Sequence, residues 1–135
     1  MTTDDAQAFL RNNHRAVLAT TRSDGGPQMS PVVIALDDEG RAVVSTREAT
    51  SKVRNLRRNP YAYAVVLNDH FYGQWLQCEG PATLVSLPEA MEPLVAYYRS
   101  ISGEHPDWDD YRQAMVRDRR VLVRIDITRA RTHTT

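Results

Sequence analysis

The sequence has one cysteine, no net charge and no long apolar run. Cys78 has no second cysteine with which to form a disulfide or a cysteine zinc site, and a buried strand position is its ordinary place. The 17 basic and 17 acidic residues balance, which does not favour bulk binding of nucleic acid. There is no apolar segment of membrane-spanning length and no signal-peptide pattern. These absences predict a soluble cytoplasmic protein whose 135 residues most simply form one domain, residues 1–135.

Motifs for metal binding and for nucleophilic catalysis are also absent. The four histidines show no metal-ligand spacing: His14, His70, His105 and His133. No Ser-His-Asp arrangement is indicated, so nucleophilic catalysis has no support and the catalytic residue is unknown. His70 lies in the loop NDHFYG and is a candidate proton donor, although a surface loop histidine is the simpler interpretation. We therefore expect no metal site.

Segments rich in apolar and β-branched residues, separated by Asp-Gly and related turns, predict six strands. The predicted strands cover residues 15–22, 27–36, 41–46, 61–67, 72–87 and 120–127. Pro27 and Pro31 cannot donate ladder hydrogen bonds, which indicates a sheet edge or a bulge near them. A bend is expected in the fifth strand at Gly80-Pro81.

Four short helices complete the predicted fold. The first covers residues 3–13, with Thr3 or Asp4 as its cap, and the second begins at Thr50 or Ser51 and ends before residue 60. The third runs from residue 88 to about 102, and Asp107 caps the fourth. The aromatic residues of the last two helices are expected to pack on the sheet. The order of elements predicts an α+β, mainly β protein built on a six-stranded antiparallel barrel.

The segment TREATSKVRNLRRNP, residues 46–60, is strongly basic although the whole chain is neutral. It carries five basic side chains against the single acid Glu48. Lys52 lies in the first turn of a predicted helix, where the positive end of the helix dipole disfavours a cation. A bound anion would reverse that cost and would use Thr50, Ser51 and the free backbone amides as donors. A solvated basic face is the alternative that the residue pattern leaves open.

Three segments resemble the pyridoxamine 5′-phosphate oxidase-like split β-barrel family: VLATTRSDGGPQMSPV, VSTREATSKVRNLRRNP and ISGEHPDWDDYRQAMVRDRRVLVRI. The last segment is most similar to a mycobacterial and actinobacterial branch that binds coenzyme F-420, an 8-hydroxy-5-deazaflavin. The likeness extends from about Ala16 to Ile127. It implies a six-stranded split barrel that forms a homodimer, with two cofactor sites at the dimer interface.

The resemblance also implies which residues bind the cofactor. The implied phosphate ligands are Lys52 and Arg54, assisted by Thr50 and Ser51. The implied contacts to the ribityl chain are Ser45 and Thr46. The strand beside the flavin or deazaflavin ring contributes Gln28, Ser30, Pro31 and Val32. The residues that approach the site from the partner subunit are Trp75 and Gln77.

The function implied by the resemblance is that of a reductase dependent on reduced coenzyme F-420, which transfers hydride to an electron-poor small-molecule acceptor. Such chemistry needs no protein nucleophile, because the cofactor carries the hydride. Two alternatives stay open: an FMN-dependent, pyridoxamine 5′-phosphate oxidase-like oxidoreductase, and a flavin- or deazaflavin-binding protein without turnover. Pyridoxamine 5′-phosphate oxidases themselves end in a basic tail that contains tryptophan. This chain ends ITRARTHTT, which argues against vitamin B6 oxidation.

Overall fold

A computed structural model describes residues 2–132 and contains seven strands and four helices within that range. The elements, in chain order, are α1 (Thr3–Asn12), β1 (Arg15–Thr21), β2 (Pro27–Leu36), β3 (Ala42–Arg47), α2 (Ser51–Arg58), β4 (Tyr61–Leu67), β5 (Trp75–Val85), α3 (Met91–Ser102), α4 (Trp108–Arg117), β6 (Arg120–Ile125) and β7 (Arg129–Thr132). The strand order is β4-β1-β2-β3-β6-β5-β7, and pairing of β4 with β5 closes six strands into a barrel. The predicted mainly β, six-stranded antiparallel barrel with four helices is confirmed.

Alternation of side chains along the strands fills the barrel. On β1, β4 and β5 every second residue points inward, and Leu18, Val66 and Leu76 are fully buried there. Leu10 of α1 and Leu56 of α2 join the same core cluster. Cys78 is also buried in this cluster, as its sequence context predicted. The barrel is therefore held mainly by aliphatic burial from both halves of the chain.

Strand β5 changes partners near its middle. Its residues 75–81 pair with β4, whereas residues 82–85 pair with β6. Gly80 lies at this change, and a Cβ there would overlap the backbone carbonyl oxygen of Asp126. Only glycine permits this close approach of two backbones. The bend predicted at Gly80-Pro81 coincides with the change of partner.

Two helix starts differ from the sequence prediction. Thr2 caps α1, through a capping box with Asp5, in place of Thr3 or Asp4. Helix α3 begins at Met91 and not at Pro88, because residues 87–90 form turns in which the Ala90 amide donates to the Ser86 carbonyl at 2.9 Å. The caps predicted at Thr50 and Asp107 are confirmed.

Three strand predictions also need correction. Strand β5 begins at residue 75 because residues 70–73 form a turn, closed by the amide of Gly73 and the carbonyl of His70 at 2.8 Å. Strand β6 ends at residue 125, where the Asp126 amide turns to the carbonyl of Pro81 at 2.9 Å. Strand β7 was not predicted, because its sequence RART has no apolar alternation, yet it pairs with residues 76–79 of β5.

Helices α3 and α4 cover the outer side of β2, β3 and β6. A second apolar cluster joins these elements, and its buried members include Val43, Leu94, Met115 and Leu122. Within residues 2–132 no helix is both long and apolar enough to cross a membrane. Helices α3 and α4 thus cover one side of the sheet, whereas α1 and α2 pack on the barrel core.

Candidate functional site

Strands β2 and β3 separate after a short stretch of pairing. They pair only through residues 34–36 and 42–44. Before residue 34, β2 continues alongside β1, and after residue 44, β3 continues alongside β6. The first half of β2 is therefore a free edge on its β3 side. Proline suits such an edge, because Pro31 has no backbone N–H that would be left without a partner. The edge predicted from Pro27 and Pro31 is confirmed.

A groove of about 660 Å³ opens where the two strands separate. Its lining combines the split strands with α2, α3, α4 and the start of β6: Pro31, Val32, Val33, Ser45, Thr46, Lys52, Tyr97, Tyr98, Tyr111, Met115 and Arg120. The volume is that of an ordinary small-molecule site. The lining includes two cations, Lys52 and Arg120, and no carboxylate, so the groove suits an anionic ligand.

Lys52 connects the helix start to the split strand. Its Nζ donates to the hydroxyl of Ser30 on β2 at 3.2 Å. The hydroxyls of Thr46 and Thr50 lie 3.4 Å apart, which links the end of β3 to the cap of α2. The structure thus brings together residues that the sequence analysis placed at the phosphate, the ribityl chain and the ring.

The start of α2 is polar and free of acids. The Thr50 hydroxyl donates to the Arg47 carbonyl at 3.0 Å and accepts from the Val53 amide at 3.5 Å. Arg54 donates to the Ser51 hydroxyl at 3.1 Å, and both side chains are exposed, although neither lines the groove. The first turn contains no acidic residue to balance the helix dipole. These groups leave the helix start positive, as a phosphate site requires.

Arg120 is a groove residue that the sequence analysis missed. Its Nε is buried and has no hydrogen-bond partner among residues 2–132, and the carboxylate of Asp118 lies 3.8 Å away. A buried N–H group without a hydrogen bond costs free energy, and a bound anion would accept that hydrogen bond. The preceding residue, Arg119, has a φ of 54°, which is uncommon for a residue other than glycine. Only the fold brings this arginine beside Lys52, so no local sequence signal identified it.

Tyr97 spans the point where the strands separate. Its hydroxyl donates to the Val33 carbonyl at 2.8 Å. Burial raises the pKa of Tyr97, while a hydrogen bond from the Ser45 backbone opposes that rise. The hydroxyl is therefore engaged by β2 and lies close to β3.

The other aromatic residues form a packed cluster beside the groove. Tyr98, Trp108 and Tyr111 have ring centroids 5.1 to 5.7 Å apart. The Tyr111 hydroxyl donates to the Leu94 carbonyl at 2.8 Å, and burial raises the pKa of Tyr111 to about 12. Their predicted packing on the barrel is confirmed, but Tyr98 and Tyr111 also line the groove, which the sequence pattern did not indicate.

Gln28, Trp75 and Gln77 lie outside the groove lining. The Gln28 side chain accepts from the Thr20 hydroxyl at 3.5 Å, on the side of β2 that carries Ser30. Trp75 and Gln77 lie on β5, where both pair with β4 and Gln77 also pairs with β7. Their approach to a site in a partner subunit stays a prediction.

Two other recesses of the surface are less suited to an anion, because both are walled by the acidic turn residues Asp37, Asp38 and Glu39. His70 is exposed and does not line the groove. Between residues 2 and 132 there is no cluster of three His, Cys, Asp or Glu side chains able to bind a metal, and His133 lies outside the described residues.

The chain is similar in sequence to known proteins. The family model described as pyridoxamine 5′-phosphate oxidase matches residues 2–134. A biliverdin reductase of Mycobacterium tuberculosis (strain CDC 1551 / Oshkosh), named as dependent on reduced coenzyme F-420, is 31% identical over 127 residues, which are 93% of this chain and 84% of that protein.

Solved structures share the fold over nearly the whole chain. The crystal structure of a conserved hypothetical protein from Mycobacterium tuberculosis has a TM-score of 0.80 at 27% identity, covering 98% of this chain and 84% of its own. A structure named F-420 reductase has a TM-score of 0.70 at 23% identity, covering 93% of this chain and 94% of its own. The second likeness shows the fold alone.

Proposed function

The chain belongs to the pyridoxamine 5′-phosphate oxidase family, and from that premise we propose that it is a reductase dependent on reduced coenzyme F-420. The groove at the β2–β3 split carries this proposal, because it is lined by Lys52 and Arg120 without a carboxylate. The relative named as an F-420-dependent biliverdin reductase supports the choice of cofactor.

The residues present fit a ribityl phosphate. The Nε of Arg120, which has no hydrogen-bond partner among residues 2–132, and the ammonium of Lys52 offer two cationic donors within one groove. We assign the phosphate to Lys52, with Arg54, Thr50 and Ser51 around the helix start. Charge-assisted hydrogen bonds of this kind are the strongest that side chains offer an anion.

The remaining lining residues would hold the rest of the cofactor. Ser45 and Thr46 present hydroxyls at the end of β3, where we place the ribityl chain. Pro31 and Val32 offer an apolar wall beside the ring, next to Ser30 and with Gln28 further along β2. Apolar side chains beside the ring would pack against its apolar face.

The reduced deazaflavin supplies a hydride to an electron-poor carbon of the acceptor when it is bound. The chain's own contribution is position and charge: cations for the anionic end, hydroxyls for the ribityl chain and apolar side chains beside the ring. The Tyr97 hydroxyl donates to the Val33 carbonyl, and burial raises its pKa, so it is poorly placed to release a proton. Solvent in the open groove is the proposed proton source.

A homodimer is the proposed assembly. Met29 and Tyr63 are paired across Ala19 on the outer side of β2, β1 and β4, where they are 62% and 38% exposed. Val33 is 48% exposed on the same side. An exposed apolar patch on a sheet is typical of protein interfaces. Pairing through this face would also present Trp75 and Gln77, on the neighbouring strand β5, to a second copy.

Stopped-flow kinetics with reduced F-420 test the proposal. Activated enones, quinones and biliverdin are the acceptors to use, and recovery of deazaflavin absorbance is the readout. We expect hydride transfer to at least one acceptor and little pyridoxal phosphate formation from pyridoxamine 5′-phosphate with FMN. A yellow protein that retains FMN through purification and oxidises pyridoxamine 5′-phosphate would contradict the proposal; binding of F-420 with no turnover would support a carrier.

A further inference from the structure

The β2–β3 ladder ends at the pair of Ile34 and Val44, although both strands continue beyond that pair. Its register pairs Ile34 with Val44, so the next pair would be Val33 with Ser45. The amide of Ile34 donates to the His14 carbonyl at 2.8 Å, on the β1 side of the strand. Backbone groups alternate sides along a strand, so those of Val33 face β3. Val33 and Ser45 would therefore be a hydrogen-bonded pair if the ladder continued.

The Tyr97 hydroxyl occupies the place of that missing bond. It donates to the Val33 carbonyl at 2.8 Å, and the Ser45 backbone lies close enough to the same oxygen to oppose the rise that burial causes in the pKa of Tyr97. A direct bond would bring the Ser45 nitrogen to about 2.9 Å from the Val33 oxygen. A hydroxyl placed between the two backbones holds the strands further apart, and it gives the Val33 carbonyl the partner that the ladder does not supply.

The position of Tyr97 makes this insertion specific. The residue lies in the middle of α3, which packs on β2 and β3 through the buried residues Leu94 and Val95. Val33, Ser45 and Tyr97 all line the groove that holds Lys52. The strands thus separate at the point where the groove begins.

We propose that Tyr97 is a positioning residue whose hydroxyl keeps β2 and β3 apart and so sets the width of the cofactor groove. The structural part stands on the register and the hydrogen bonds, and the effect on cofactor binding rests on the proposed function. Without the hydroxyl, the Val33 carbonyl and the Ser45 amide satisfy each other directly. The groove then narrows beside the hydroxyls of Ser45 and Thr46.

Tyr97→Phe tests the proposal, because it removes the hydroxyl and keeps the ring. We expect a nuclear Overhauser contact between the backbone amides of Val33 and Ser45 to appear in the cofactor-free variant and to be absent in the wild type. We also expect the Kd for oxidised F-420, measured by fluorescence titration, to rise about tenfold, which is the effect of one typical hydrogen bond.

Tyr61→Phe is the matched control. It removes a tyrosine hydroxyl that donates to Glu79 at 3.0 Å, away from the groove, and should show neither change. Tyr97→Phe with a wild-type amide pattern, or with wild-type affinity, would overturn the proposal. If the wild type itself does not bind F-420, the proposed function fails, and the amide contact alone then decides whether Tyr97 separates the strands.

Discussion

The ammonium of Lys52 donates to the hydroxyl of Ser30 at 3.2 Å, which joins the first turn of α2 to the split strand β2. Within the described residues Lys52 has no carboxylate partner, whereas Arg57 of the same helix pairs with Glu48. The charge of Lys52 is therefore held at the groove and is not neutralised. A cation at the positive end of a helix favours binding of an anion between the ammonium group and the first backbone amides of the helix.

Arg120 should contribute to the same anion site. We expect Arg120→Gln to raise the Kd for F-420 by about ten- to a hundredfold, since a hydrogen bond to a charged group contributes about 1.5–3 kcal/mol. Arg124→Gln is the matched control, because its Nε is also buried and partnerless within residues 2–132, but it faces the recess walled by Asp37 and Glu39. Equal losses of affinity in both variants would show that Arg120 has no specific role.

The sequence predicted the barrel because its signals are local. Alternating apolar residues and Asp-Gly turns identified the strands, and Thr50 and Asp107 identified two helix starts. Strand β7 was not predicted, because its residues alternate charged with small side chains and the strand depends on pairing with β5. Local pattern cannot report a strand that is stabilised by its neighbour alone.

A buried hydrogen-bond chain should hold α2 on the barrel. Arg58 donates to the Asn55 side chain at 2.9 Å, and Asn55 donates to the Thr20 hydroxyl at 3.0 Å. Asn55→Ala should lower the free energy of unfolding by about 1–3 kcal/mol, because a buried polar group loses its partner. Urea unfolding with an unchanged m-value measures this. Asn59→Ala, at an exposed cap, should change it by about 0.5 kcal/mol or less; equal effects would contradict the role of Asn55.

Cys78 should be inert in the folded protein. Burial raises the pKa of its thiol to about 12 from the ordinary value of 9.0. Above pH 9 the unfolded chain loses this proton first, so stability should fall as the pH rises toward 12, by at most about 1.4 kcal/mol per pH unit. Cys78→Ala should flatten that slope in urea titrations between these pH values. Rapid native-state reaction with a disulfide reagent at pH 8, matching the denatured protein, would contradict the burial.

The exposed face of β2 and β4 should form the dimer. Met29→Lys places a charge on the apolar outer side, where burial of an unpaired charge is costly, and should shift light scattering from dimer toward monomer at micromolar concentration. Val116→Lys, which changes a 59% exposed residue on α4, is the control and should stay dimeric. A wild-type protein that is monomeric, or a Met29→Lys variant that stays dimeric, would exclude this face.

Whether a site residue could be identified from the sequence depended on how far apart in the chain its contacts lie. Lys52 and Thr50 were identified from one segment, because helix capping and dipole arguments need only neighbouring residues. Arg120 and Tyr97 enter the groove only when β3 pairs with β6 and α3 packs across the split. Their roles depend on contacts between residues that are far apart in sequence, which periodicity does not encode.

The affinity of Lys52→Ala for F-420 tests the central claim most directly. Arg57→Ala is the control, since it removes one charge from the same helix outside the groove, whereas Arg58 is bonded to Asn55 and is less suitable. We predict a ten- to hundredfold rise in Kd for Lys52→Ala, following the loss of about 1.5–3 kcal/mol, and near wild-type binding for Arg57→Ala. Melting of the cofactor-free Lys52→Ala protein should be unchanged or slightly higher. Wild-type affinity in Lys52→Ala, or equal losses in both variants, would contradict the anion site at the start of α2.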